Sequence, residues 1–168
     1  MIEWIYFPLS VRPPAEIVKI VTVFEDVEES IGSGEHQLKS NAVLSCLAPG
    51  LERLGFLVET SKSGSDKVRV PVLFGPRGQV EKAFEADAFH PKLGIVVEVE
   101  AGRAVTNNQF LKDLFQACMM SEARYLVIAV RKMYLRRDVY REVVRFFTTL
   151  YTAGRLKLPL DGILVIGY

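Results

Sequence analysis

Two carboxylates one residue apart sit in Ile95-Val96-Val97-Glu98-Val99-Glu100, a segment otherwise built of β-branched side chains. Such a segment reads as a strand. Its period of two puts Val96, Glu98 and Glu100 on one face and Ile95, Val97 and Val99 on the other. Just upstream, Glu85, Asp87 and Phe89 share one face of a second strand predicted over 81–89. If residues 91–94 form the turn, His90 pairs with Ile95, Asp87 lies opposite Glu98, and Glu85 lies opposite Glu100. Like charges directly opposite one another destabilise an antiparallel pair. Carboxylates gathered in this way call for a hard divalent cation, Mg2+ or Mn2+. Register decides whether these acids meet, since a slip of one residue would oppose 85 and 87 to 99 and 97. A solvated sheet face with acids at i and i+2 is the other reading of Glu98 and Glu100.

Asp87, followed by Glu98-Val99-Glu100 on the next strand and then by a helix, resembles the core motif of the PD-(D/E)XK nuclease superfamily. That pattern is an Asp, a spacer, and Glu-x-Lys on a neighbouring strand. Here Glu100 stands where the family has Lys, and Ala86 stands before Asp87 where the family has Pro. The Asp…Glu-x-Glu form is similar to that of BamHI/BglII-type restriction endonucleases. The likeness covers roughly residues 33–131, with the element order helix, three strands, helix, strand. It implies an α/β fold with a restriction-endonuclease-like core, a mixed central sheet flanked by helices.

The resemblance also implies roles. Asp87 and Glu98 would ligate Mg2+ or Mn2+, with the backbone carbonyl of Val99 as a further ligand. Glu100 would act as general base or order the attacking water, and Glu35, on an upstream helix, would join the site. The implied reaction is metal-assisted hydrolysis of DNA phosphodiester bonds by a Mg2+-dependent deoxyribonuclease. Enzymes of this kind act on double-stranded DNA as homodimers. Lys112 on the following helix, or Arg103, is the candidate to replace the missing Lys. A first-turn acid such as Glu35 is equally explained by the helix dipole. A catalytically degenerate nuclease-fold protein, acting as a nucleic-acid-binding or assembly module, is the alternative. A carboxylate-pair glycosidase is a third reading, and the sequence lacks the aromatic signals of a sugar-stacking cleft.

Phosphate contacts have their own candidates. Arg137, Arg141 and Arg145 recur at i, i+4 and i+8 and stack along one face of a helix predicted over 137–151. Such a row suits phosphate recognition by bidentate donors. A solvated helix face is the competing reading, and Asp138 and Glu142 stand close enough in sequence to neutralise part of it. His36 and His90 lack metal spacing and read as surface or hydrogen-bonded histidines. No Gly-rich phosphate loop, HExxH or GxSxG motif is present.

The elements that must position these groups follow from periodicity. A strand over 2–8 enters a Pro13-Pro14 turn, and a helix with Ile17, Ile20, Val21, Phe24 and Val27 on one side runs to about Ser30. Ser33 can cap a second helix carrying Glu35, Leu38, Ala42 and Cys46, interrupted at Pro49-Gly50. Strands are predicted over 56–60, 68–74, 81–89 and 95–100, with a flexible loop over 61–66 and a turn at 75–78. A helix near 107–120 with Phe110, Leu111, Leu114, Phe115 and Cys118 as its apolar stripe, a strand over 125–130, the 137–151 helix and a strand over 162–166 complete the order. Consecutive antiparallel strands followed by alternating helices and strands imply a mixed sheet covered by helices.

Composition bounds the rest. The chain has 168 residues, 49% hydrophobic and 24% charged, which suits a single domain over 1–168 with a full core. Its net charge is +1, yet residues 1–100 sum to −5 and residues 101–168 to +6. The carboxylates and the arginines are thus segregated, as a metal-dependent enzyme acting on phosphates requires. Cys46 and Cys118 lack CxxC spacing and read as small hydrophobes. The start, MIEWIYFPLS, lacks the basic residues of a secretory signal, and the longest uncharged run, residues 40–51, is too short to span a bilayer. A cytoplasmic location with no membrane association is the expectation. Trp4, Tyr6 and Phe7 near the start suit either a dimer surface or an ordinary buried strand.

Overall fold

A computed structural model describes residues 1–60, 66–102 and 104–168. The expected loop over 61–66 therefore lies mostly outside the described residues, as does Arg103. The architecture is mixed α/β. One sheet contains β1 (Glu3–Phe7), β2 (Leu57–Val58), β5 (Ala88–His90), β6 (Ile95–Glu100), β7 (Tyr125–Val130) and β10 (Gly162–Gly167), in the spatial order β1-β10-β7-β6-β5-β2. β10, β7 and β6 run parallel to one another, and β1, β5 and β2 add antiparallel pairs at the two sides. Two hairpins stand apart from this sheet: β3 (Val68–Phe74) with β4 (Val80–Ala86), and β8 (Met133–Tyr134) with β9 (Arg137–Asp138).

Both faces of the sheet are covered, which explains why β7 and β10 are continuous apolar runs. On one face Ile95, Val97 and Val99 pack with α1 (Ala15–Asp26), α2 (Glu28–Ile31) and α3 (Ser40–Arg53) through Ile17, Phe24, Leu47 and Leu51. On the other, Val96, Leu126 and Ile128 pack with α4 (Gln109–Met119) and α5 (Val139–Ala153) through Phe110, Leu114, Val143 and Phe147. The face assignment of β6 is the one its alternation predicts. The described helices include none long and apolar enough to cross a membrane. β1 is paired to β10 along one side, with Tyr6 and Phe7 buried and Trp4 partly exposed.

Several elements differ from expectation. The helix predicted from Ser33 begins at Ser40. Ser33 does not cap it, because its hydroxyl donates to the Tyr168 carbonyl and accepts the Lys132 N–H at 3.2 Å. Glu35 accordingly sits exposed in a turn before α3. Pro49-Gly50 does not interrupt α3. A Cβ on Gly50 would stand 2.5 Å from Val23, so the glycine lets α1 and α3 approach closely. The first predicted helix divides at Val27 into α1 and α2. The strand predicted over 81–89 breaks at Asp87 into β4 and β5. Arg137 lies in β9 rather than in α5, whose N-cap is Asp138, with its side chain accepting the Arg141 N–H.

Candidate active site

The β5–β6 register is the expected one: His90 pairs with Ile95, Phe89 with Val96 and Ala88 with Val97. The next step of the ladder would pair Asp87 with Glu98, and there the chain departs from it. The Asp87 carboxylate (Oδ2) accepts the Val99 N–H at 2.8 Å, and the Asp87 N–H donates to the Glu98 carboxylate. The Asp87 carbonyl accepts the Glu59 N–H at 2.8 Å. Backbone and side chain have exchanged roles at the break, and both carboxylates are held by backbone amides instead of facing each other across a regular ladder.

Asp87, Glu98 and Glu100 line one cavity of about 190 Å³. The structure adds three charged residues to which the sequence alone does not point: Glu59, Lys67 and Asp113. Asp113 comes from α4 and is only 5% exposed. Its position has a readable signal, because Phe110, Asp113, Leu114 and Ala117 follow i, i+3, i+4, i+7, and all four are buried. Phe115, expected on the apolar stripe, is instead 57% exposed. Lys67, next to the start of β3, forms ion pairs with Glu59 at 3.1 Å and Glu85 at 3.2 Å. Ser40, at the start of α3, reaches the same cavity. Arg131 donates to the Leu38 carbonyl, tying the segment before α3 to the end of β7. The Tyr168 hydroxyl donates to the Glu100 carbonyl at 3.3 Å, fixing the end of β6.

Burial and mutual repulsion dominate the electrostatics. Burial raises the Asp87 carboxyl to about 6, against the lowering effect of the Val99 N–H. Burial pushes Glu98 well above the usual carboxylate range, and Asp87, Asp113 and Glu100 add to the rise. Burial and the adjacent Glu100 carry Asp113 to about 8. Burial also raises Glu100, whereas a hydrogen bond from Asp113 and the charge of Lys112 favour its ionised form. A hydrogen bond between two carboxyl groups needs one proton, and this one acts to raise Asp113 and to lower Glu100. Asp113 Oδ2 is buried without a hydrogen-bond partner among the described residues. No group of three or more His, Cys, Asp or Glu among the described residues is already drawn together as a metal cage. The donors that line the cavity are oxygens, the donor type that hard divalent cations take.

The remaining candidates fall elsewhere. Glu35 lines a different cavity, with Glu28, Glu29 and Lys132, so it does not join Asp87 and Glu98. The late start of α3 is the reason. Lys112 lines the acidic cavity from its exposed rim. The arginine row is largely neutralised: Arg137 holds Glu142 through two contacts at 3.0 and 2.6 Å, and Arg141 Nε lies 3.2 Å from Asp138. Arg145 is exposed and makes no ion pair among the described residues. His90 accepts the Leu93 N–H on Nδ1 at 3.3 Å and donates from Nε2 to the Leu54 carbonyl at 3.0 Å, a fully hydrogen-bonded structural histidine.

No family model matches the chain, and no curated protein matches it in sequence.

Proposed function

We propose that the protein is a divalent-metal-dependent endonuclease hydrolysing DNA phosphodiester bonds, with a restriction-endonuclease-like fold and a PD-(D/E)XK-type site. The observation that carries this reading is the convergence of Asp87, Glu98 and Glu100 on one cavity at the break between β4 and β5. The neighbouring Asp113 strengthens it, because its Oδ2, on the same cavity, has no hydrogen-bond partner among the described residues.

Asp87 and Glu98 would hold Mg2+ or Mn2+, with the Val99 carbonyl as a further oxygen. The bound ion would lower the pKa of a water and neutralise charge on the leaving oxygen. The Val99 N–H fixes the Asp87 carboxylate, and the Asp87 N–H fixes that of Glu98, so neither must reorient to bind. Glu100 is the base that takes the proton of the attacking water. The hydrogen bond from Asp113 favours the ionised form of Glu100 against the opposing effect of burial. Lys112 and Lys67, both on the cavity wall, offer positive charge to a phosphate that enters. Arg145, which makes no ion pair among the described residues, supplies a cation on α5 for the DNA backbone.

Cleavage of supercoiled plasmid by the full chain with Mg2+ or Mn2+ tests this directly. Relaxed or linear product is expected, and Asp87→Ala and Glu98→Ala abolish it. Intact plasmid, together with metal binding unchanged in both variants, overturns the reading. The neutralised Arg137 and Arg141 favour a second reading, a catalytically degenerate nuclease-fold protein that binds nucleic acid or assembles with a partner. Its mark would be DNA binding with no cleavage under any divalent metal.

A further inference from the structure

A second cavity of about 480 Å³ adjoins the acidic one and shares Ser40 and Glu100 with it. Lys39, Asn41, Gln109 and Tyr134 complete the chemistry of its wall. We propose that this cavity is a subsite for one unstacked nucleotide, next to the phosphodiester held in the acidic cavity. The proposal rests on the nuclease reading and names how its substrate is gripped.

Size is the first argument. Sites for small organic groups span roughly 300–1,000 Å³, a range that includes this cavity, whereas the acidic cavity at about 190 Å³ suits an ion and its ligands. Chemistry is the second. Tyr134 contributes an aromatic ring to the wall, and aromatic rings are the usual partners of an unstacked base. Asn41 and Gln109 carry primary amides, which donate and accept together and so match the edge of a base. Neither amide makes a hydrogen bond among the described residues. Lys39 and the first N–H groups of α3 suit a flanking phosphate. A base still paired and stacked in a duplex cannot enter a concavity of this kind, but a base turned out of the stack can.

Tyr134 is also held in place, as a stacking platform must be. The Arg131 guanidinium lies over its ring, 5.8 Å from the centroid. Gly102 backs it so closely that a Cβ there would stand 2.5 Å from the ring. The turn between β8 and β9 places two non-glycine residues in the left-handed region, Leu135 at φ 48° and Arg136 at φ 64°.

The test is an abasic scan. Duplex oligonucleotides carrying one abasic position are titrated into the full chain in EDTA, with affinity read by fluorescence anisotropy, so the result does not depend on cleavage. The expected result is a loss of about tenfold at one position in the wild type, the usual scale of one base–aromatic stack. That loss disappears in Tyr134→Leu and is retained in Tyr134→Phe. Asn41→Ala, an exposed change, halves or more the discrimination among bases at the same position and guards against misfolding of Tyr134→Leu. Equal tolerance of every abasic position by wild type and Tyr134→Leu, with Asn41→Ala also silent, overturns the subsite even if plasmid is cleaved. Failure of cleavage with the abasic penalty intact overturns the catalytic reading instead.

Discussion

The Asp87 carboxylate accepts the backbone N–H of Val99 at 2.8 Å, across the point where the β5–β6 ladder ends. A side chain therefore occupies the place of a ladder hydrogen bond, and Asp87 can serve at once as a structural acceptor and as a ligand through its second oxygen. Asp87→Asn keeps an acceptor for Val99 and removes the charge. Asp87→Ala leaves that N–H without its partner, at a cost of about 1–3 kcal/mol. Chemical denaturation should place Asn near the wild type and Ala below it. Mn2+ titration should show weakened binding in both.

Stability in the absence of metal should fall as the pH rises. Burial raises Asp87 from 3.8 to about 6, and burial with the Glu100 charge raises Asp113 from 3.8 to about 8. The folded chain thus keeps protons that the unfolded chain has released, so the unfolded state binds fewer protons across that window and stability declines with pH. The decline runs from the unfolded value near 3.8 through about 6 for Asp87 and about 8 for Asp113. Thermal melts in EDTA should show a lower midpoint at about pH 8.5 than at about pH 5, by about 5 °C or more. Asp113→Asn should flatten the profile, and Mn2+ should raise the midpoint most at the alkaline end.

Lys67 acts as an internal counter-ion, bridging Glu59 and Glu85 on the wall of the acidic cavity. Its protonated form is stabilised first by the hydrogen bond to Glu59. Lys67→Met removes a positive charge from the cavity proposed to hold a cation. Mn2+ affinity should rise by about threefold to tenfold, while the fold loses about 1 kcal/mol from the stranded carboxylates. Calorimetric titration checks the first effect and denaturation the second. Unchanged metal affinity would place the cation site away from Lys67.

Under the proposed function, the three arginines should contribute unequally to DNA binding. Arg137 and Arg141 already face Glu142 and Asp138, whereas Arg145 makes no such pair among the described residues. Each phosphate neutralised adds about 0.9 to the slope of log affinity against log salt. Arg145→Ala should lower that slope by about one, and Arg137→Ala or Arg141→Ala by clearly less. Equal effects from all three would mean that DNA displaces the intramolecular acids.

The faces of β6, the four-residue turn and the His90–Ile95 register were legible in the sequence, and from them the meeting of Asp87 with Glu98. Each is a local property: side-chain alternation and turn length are imposed by the backbone within about fifteen residues. The break at Asp87 was not legible, because a carboxylate replacing a ladder hydrogen bond leaves no mark on the alternation. Glu35 was misplaced for a similar reason. Ser33 resembles an N-cap locally, yet its hydroxyl is taken by the far end of the chain at Tyr168 and Lys132.

What the sequence determined by itself is a mixed sheet, with an acidic strand pair and a basic region far along the chain. Only the tertiary structure decided which charges meet. It brought Asp113 from α4 against Glu100, set Lys67 between Glu59 and Glu85, turned Arg137 and Arg141 toward their own acids, and joined a second cavity to the first at Ser40 and Glu100. The physical reason is one of range. Hydrophobic period and turn chemistry act between neighbours in the chain, whereas burial and Coulomb interactions act through space and exist only once helices have docked on the sheet.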